Sequence, residues 1–214
     1  MAKPTKAALE AELLHEEIRK TRAEAEVAEF EARSAARAEL SNLANEGQHR
    51  VYHFVGTVND KSVFDCMQQL GRWARRAPGE PITVIFNSPG GGVIAGLALY
   101  DFILELRDRG HHVTTVVRGY AASMGSILLQ AGDERVVGPN SWVMVHEVSS
   151  GSIGKVSDQE EDLETTKRMQ DQLAEILASR STFSKDQIKR KWRKKDVWLA
   201  PEQAIEWGLA DKIG

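Results

Sequence analysis

With a single cysteine, Cys66, in 214 residues, the chain has no route to an internal disulfide framework or a cysteine-based metal site. Long apolar runs are missing as well. None approaches the roughly 20 residues that a membrane-crossing helix needs, and the N-terminus has no hydrophobic signal core, so a cytoplasmic protein is expected. Charge of one sign is also lacking. The 28 Lys and Arg nearly balance the 31 Asp and Glu, for a net charge of −3, which removes the electrostatic argument for a nucleic-acid partner. Apart from His146, the histidines (His15, His49, His53, His111 and His112) show no metal-ligand spacing on one helix, so neither metal nor cofactor is expected.

Glycine and proline are absent from Lys6 to Leu43, a stretch dense in Ala, Glu and Arg. This composition predicts one long helix, opened near Pro4-Thr5 and closed by Asn45-Glu46-Gly47. Glu16 with Lys20 and Glu29 with Arg33 have the favourable order for helix-stabilising pairs, each contributing about 0.2–0.5 kcal/mol. Leu9, Leu13, Ile18, Val27, Phe30, Leu40 and Leu43 do not sustain a heptad, so residues 1–47 read as a charged helical extension rather than a strong coiled coil. Residues 48–214 read as the main domain.

In that domain, β-like runs at Tyr52–Val58, Ile82–Asn87, Val113–Arg118 and Trp142–His146 alternate with helical patterns at Lys61–Arg76, Ile94–Arg109 and Ala122–Gln130. Such alternation predicts an α/β fold with largely parallel strands. A further helix is expected from Val156 to about Arg180, with Leu163, Met169, Leu173, Ile176 and Leu177 spaced for one buried face.

Four places carry chemistry. Ser123, in Arg118-Gly119-Tyr120-Ala121-Ala122-Ser123-Met124-Gly125, falls at a strand-to-helix junction, where free N–H groups of the first turn face a developing oxyanion. Asn87-Ser88-Pro89-Gly90-Gly91-Gly92 ends a strand in glycines that let backbone amides approach a carbonyl closely. His146, at the end of an apolar strand, is a base that is neutral near pH 7. Asp196, in Arg193-Lys194-Lys195-Asp196-Val197-Trp198, is a carboxylate that could orient an imidazole. Singly, each has a plainer reading: a helix cap, an ordinary βα turn, a solvated histidine, a surface salt bridge.

Together these segments, with Ala200-Pro201-Glu202-Gln203-Ala204 and the closing Trp207-Gly208-Leu209-Ala210-Asp211, closely resemble the proteolytic subunit of Clp, a serine protease family, over about residues 50–214. The resemblance implies a ClpP/crotonase-like fold of repeated ββα units, in which the long helix is the handle that joins two heptameric rings around a chamber. It implies Ser123 as nucleophile, His146 as base and Asp196 as its orienting partner. Backbone amides of Gly91 and Met124 would serve as oxyanion donors, and Gly92 and Val93 would pair an extended peptide substrate as an added strand. Protein or peptide substrates and a homo-oligomer follow.

Residues 1–47 depart from the family, whose short N-terminal segment works with an AAA+ unfoldase. That partnership is left open beside a phage-type head-maturation role. Glu147-Val148 also departs, standing where Gln-Pro is common. Three other readings are weighed. Signal peptide peptidases use a lysine base and usually follow the serine with Gly. Crotonase-type hydratases need no Ser-His-Asp set. A noncatalytic scaffold subunit would keep these residues without aligning them.

Overall fold

A computed structural model describes residues 6–48 and 50–214, with side chains for 16–37 and 50–214. The chain divides into two units, the second of which is Arg50–Gly214. The first is a helix, α1 (Lys6–Gln48), of 43 residues. It runs past the expected stop through Gly47, since a lone glycine costs a helix only about 1 kcal/mol. Its side chains from Glu16 to Arg37 are exposed, and Glu29 pairs with Arg33 at 2.5 Å as the spacing predicts.

The second unit runs β1 (Val51–Val55), α2 (Asp60–Arg76), β2 (Ile82–Ser88), α3 (Val93–Asp108), β3 (Val113–Ala122), α4 (Met124–Leu129), β4 (Glu134–Val137) and β5 (Trp142–Val145). It continues with α5 (Val156–Arg180), α6 (Lys185–Trp192), β6 (Val197–Leu199), α7 (Pro201–Glu206) and β7 (Lys212–Ile213). The central sheet has the order β1-β2-β3-β4-β7, all parallel, as the alternation predicts. Helix α2 starts at a capping box: the Ser62 N–H donates to Asn59 Oδ1 and the Asn59 N–H to Ser62 Oγ, both at 3.0 Å. Phe54, Val84, Phe86, Leu99, Ile103 and Leu128 fill the core between sheet and helices.

Three expected boundaries move. The first strand stops at Val55 rather than Val58, because the chain turns at Gly56 (φ 97°) and Val58 leaves the sheet to bridge Gly91. Strand β3 does not end at Arg118 but continues through Ala122, and the helix expected from Ala122 starts at Met124. The cause is tertiary. Beyond Val117, the last residue that pairs β4, Tyr120–Ala122 gain a new partner in β5, which draws Ala121 and Ala122 into extended backbone. Helix α5 has the expected limits, but only its last turns are buried, through Leu173 and Leu177. Leu163, expected on the buried face, is 53% exposed.

The C-terminus is locked to β4 by Arg135, a buried cation. Its guanidinium donates to the Asp211 carboxylate (2.5 and 3.0 Å), Gln130 Oε1 (2.7 Å), and the carbonyls of Arg180 (3.0 Å) and Gly208 (2.7 Å). Burial pushes the Asp211 carboxyl up, but hydrogen bonds from the Arg135 side chain and backbone, with the nearby positive charge, hold it below the usual carboxylate range. A lowered folded-state value means that the stabilisation is fully present above the unfolded carboxyl's range and is lost as pH falls through the folded one. Arg135→Leu removes the donor from four acceptor groups and should cost about 3 kcal/mol in urea unfolding. The acid limb of its stability against pH should also flatten relative to wild type, and an unchanged limb would show that this pair carries none of the acid sensitivity.

Candidate active site

On the side away from β2, strand β3 has two parallel partners in succession, and the switch between them builds the site. Val117 is the last residue paired with β4, whereas Ala122 pairs with Met144 of β5. At the end of that second ladder the Ser123 N–H donates to the Met144 carbonyl at 2.9 Å. The β3–α4 turn is thereby fastened to the strand that ends just before His146. The Ser123 hydroxyl and His146 Nε2 are hydrogen-bonded at 2.8 Å.

The serine occupies an unusual backbone conformation, φ 54° and ψ −123°. A non-glycine residue there carries a cost of about 1–3 kcal/mol, and it is held by bonds on both sides. Its N–H is tied to β5, and its carbonyl accepts the Ser126 N–H at 2.9 Å and the Ser126 hydroxyl at 2.6 Å.

Asp196 stands on the far side of the imidazole, Oδ1 3.5 Å from His146 Nδ1, with its side chain 59% exposed. The reason these residues meet is again a ladder. Strands β5 and β6 are antiparallel in the register Val143↔Leu199, Met144↔Trp198, Val145↔Val197. One step further sets His146 opposite Asp196, a spacing at which side chains on one face touch.

The glycine turn lies against the serine turn. A Cβ on Gly90 would sit 2.6 Å from Ser123 Cβ and 2.9 Å from the Met124 nitrogen, so only glycine permits this approach. Gly91 (φ 147°) is held by a bridge to Val58: the Val58 N–H donates to the Gly90 carbonyl and the Gly92 N–H to the Val58 carbonyl, both at 2.8 Å. Between these bonds the Gly91 N–H has no acceptor among the described residues, nor has that of Met124, the first residue of α4. A cavity of about 240 Å³ opens over Ser123, Met124 and His146, walled by Leu173, Leu177 and Trp192.

The Clp protease family model matches residues 37–214. The chain belongs to the Clp protease family. It is 34% identical, over 163 residues, to the ATP-dependent Clp protease proteolytic subunit of Deinococcus radiodurans, a match covering 75% of this chain and 78% of that protein. The α/β fold around a central sheet is that of the family. Among the described residues, no helix of this Clp-family member is long and apolar enough to cross a membrane.

Gly92 has no free N–H to offer a substrate strand, since that group donates to Val58, and its carbonyl accepts the Gly96 N–H at 3.0 Å. Of the two residues expected to pair a substrate, only Val93 keeps a backbone N–H without an acceptor among the described residues. Trp192 of helix α6, which walls the cavity, has no sequence signal beyond the Ser184-Lys185-Asp186-Gln187 capping box that opens its helix. There the Gln187 N–H donates to Ser184 Oγ at 3.4 Å.

Two substitutions test the turn geometry in this Clp-family member. Gly90→Ala pushes on the serine turn and should slow reaction of Ser123 with a fluorophosphonate about 100-fold or more. Ser123→Gly relieves the backbone cost that Ser123→Ala retains. It should melt at or above the temperature of Ser123→Ala, despite the roughly 0.5–1 kcal/mol penalty that glycine usually brings. A lower melting temperature would remove the strain argument.

Proposed function

We propose that the chain is a serine endopeptidase that hydrolyses peptide bonds through Ser123, His146 and Asp196. The observation that carries this reading is the 2.8 Å hydrogen bond between the Ser123 hydroxyl and His146 Nε2, in a turn beside two unbonded backbone amides. His146 takes the hydroxyl proton as Oγ attacks the scissile carbonyl, forming the Oγ–C bond. The oxyanion is received by the Gly91 and Met124 N–H groups. The imidazolium, steadied by Asp196 at Nδ1, returns its proton to the leaving amine as the C–N bond breaks. Water then repeats the sequence on the acyl-enzyme, with His146 again as base.

The family also supports a homo-oligomeric ring, heptameric and paired, enclosing the sites in a chamber open to unfolded protein or peptide substrates. Apolar side chains left in water around the start of α5, Ile153, Val156 (73% exposed) and Leu163 (53%), suit a helix that meets another protomer. The Deinococcus protein's name includes ATP dependence, and an AAA+ unfoldase is the corresponding partner for this chain. A second reading, a head-maturation protease that works without one, is favoured by residues 1–36, which lie outside the family match.

Fluorophosphonate labelling followed by intact-mass and native mass spectrometry tests the proposal. One adduct per chain at Ser123 is expected, in a large ring, with loss of labelling in Ser123→Ala and a fall of about 10⁴-fold or more in His146→Ala. Peptide cleavage that persists in pure Ser123→Ala protein would falsify the assignment. An assembled ring that takes no label would favour a scaffold subunit.

A further inference from the structure

Asp196 is the least firmly held member of the set. Its carboxylate is 59% exposed and 3.5 Å from His146 Nδ1, with no other partner among the described residues. The residues that deliver it, Arg193, Lys194 and Lys195, are all exposed. Lys194 is left-handed, with φ 57°, and shares with Ser123 alone, among the described non-glycine residues, a positive φ. A left-handed conformation costs a non-glycine residue about 1–2 kcal/mol, which the bonds around it must offset.

Two bonds hold it: the Lys195 N–H donates to the Trp192 carbonyl at 3.1 Å, closing a turn with Arg193 at φ −54° and ψ 119°, and Glu147 ties that turn to the end of β5. The Lys194 N–H donates to Glu147 Oε2 at 3.0 Å, across 47 positions of sequence. Glu147 directly follows His146 in the chain and lines the cavity over Ser123. The β5–β6 ladder stops at Val145↔Val197, one step short of His146 and Asp196, and the Glu147 carboxylate resumes the connection one step beyond them. The base and its carboxylate are therefore bracketed by a backbone pair on one side and a side-chain hydrogen bond on the other.

We infer that Glu147 is a positioning residue: its carboxylate tethers the Lys194 turn and so keeps Asp196 against His146. The inference rests on the serine-protease reading for its consequence, but the tether itself is readable apart from catalysis. What the tether requires is reach and an acceptor oxygen. Glutamine supplies both without charge, whereas aspartate keeps the charge but is one methylene short.

The test compares Glu147→Ala, Glu147→Asp and Glu147→Gln in the full-length protein, with melting temperatures measured for each. Amide hydrogen exchange over residues 193–196 should speed up in the Ala and Asp variants and return to the wild-type rate in Gln. Fluorophosphonate labelling of Ser123 should fall about tenfold or more in Ala and Asp, short of the roughly 10⁴-fold that follows loss of a triad carboxylate's function. Gln should recover most of that rate. In an Asp196→Ala background, Glu147→Ala should produce no further fall, because the tether acts only through Asp196.

The inference is overturned if Asp behaves as wild type while Gln behaves as Ala, which would make charge the relevant property. It is equally overturned if exchange over 193–196 is the same in all four proteins, or if the two substitutions remain additive in the double variant. A wild-type protein that takes no label at Ser123 would instead sink the protease reading, with the exchange comparison still deciding whether the tether exists.

Discussion

The 2.9 Å hydrogen bond from the Ser123 N–H to the Met144 carbonyl is the constraint on which the site depends. It closes the short parallel ladder between the second half of β3 and β5, and so joins the two strands that carry the serine and the histidine. With one end of the turn fixed to β5 and the other fixed by Ser126 to the carbonyl of Ser123, the serine has no freedom to relax toward ordinary backbone angles. Its hydroxyl is left facing the imidazole. The local strain is repaid by a sheet and a helix that are buried around it, with Val143, Met124, Ile127 and Leu128 all in the core.

A second constraint is the absence of side chains at Gly90 and Gly91. The turn after β2 can lie against the turn after β3 only because nothing projects between them. Gly91 and Met124, whose amides are unbonded among the described residues, line the same cavity as the serine. The bridge between Val58 and Gly91 then uses the neighbouring backbone groups, which leaves the Gly91 N–H as a free donor and engages the Gly92 N–H.

Much of this was legible in the sequence, for particular reasons. The strand β2 and helix α3 are marked by an apolar alternation that stops at Pro89 and glycines and then resumes with helical spacing, all within a few residues. Ser123 and His146 stand at the ends of apolar strands, so their half-buried placement at the ends of those strands could be expected from their position alone. Less legible was the path of β3. Gly119-Tyr120-Ala121-Ala122 has no local preference for a strand, and its extended form is imposed by pairing with β5, more than twenty positions later. Helix α5 could be delimited from its composition, but not the fraction of it that is buried, since Leu163 and Leu177 look alike in sequence and differ only in what lies across from them.

By itself the sequence determined which residue types stand at strand ends, where the backbone must be glycine, that the class is α/β, and that a long charged helix precedes the domain. These follow from periodicity, side-chain size and backbone freedom, which are properties of a few neighbouring residues. Only the tertiary structure decided that Asp196 reaches His146, that Gly92 is engaged by Val58, and that Glu147 holds the turn before Asp196. Each of those contacts joins segments separated by tens of residues. Its geometry is set by the register of β5 on β6 and by the β2 and β3 turns packing together, and no local pattern of side chains encodes either.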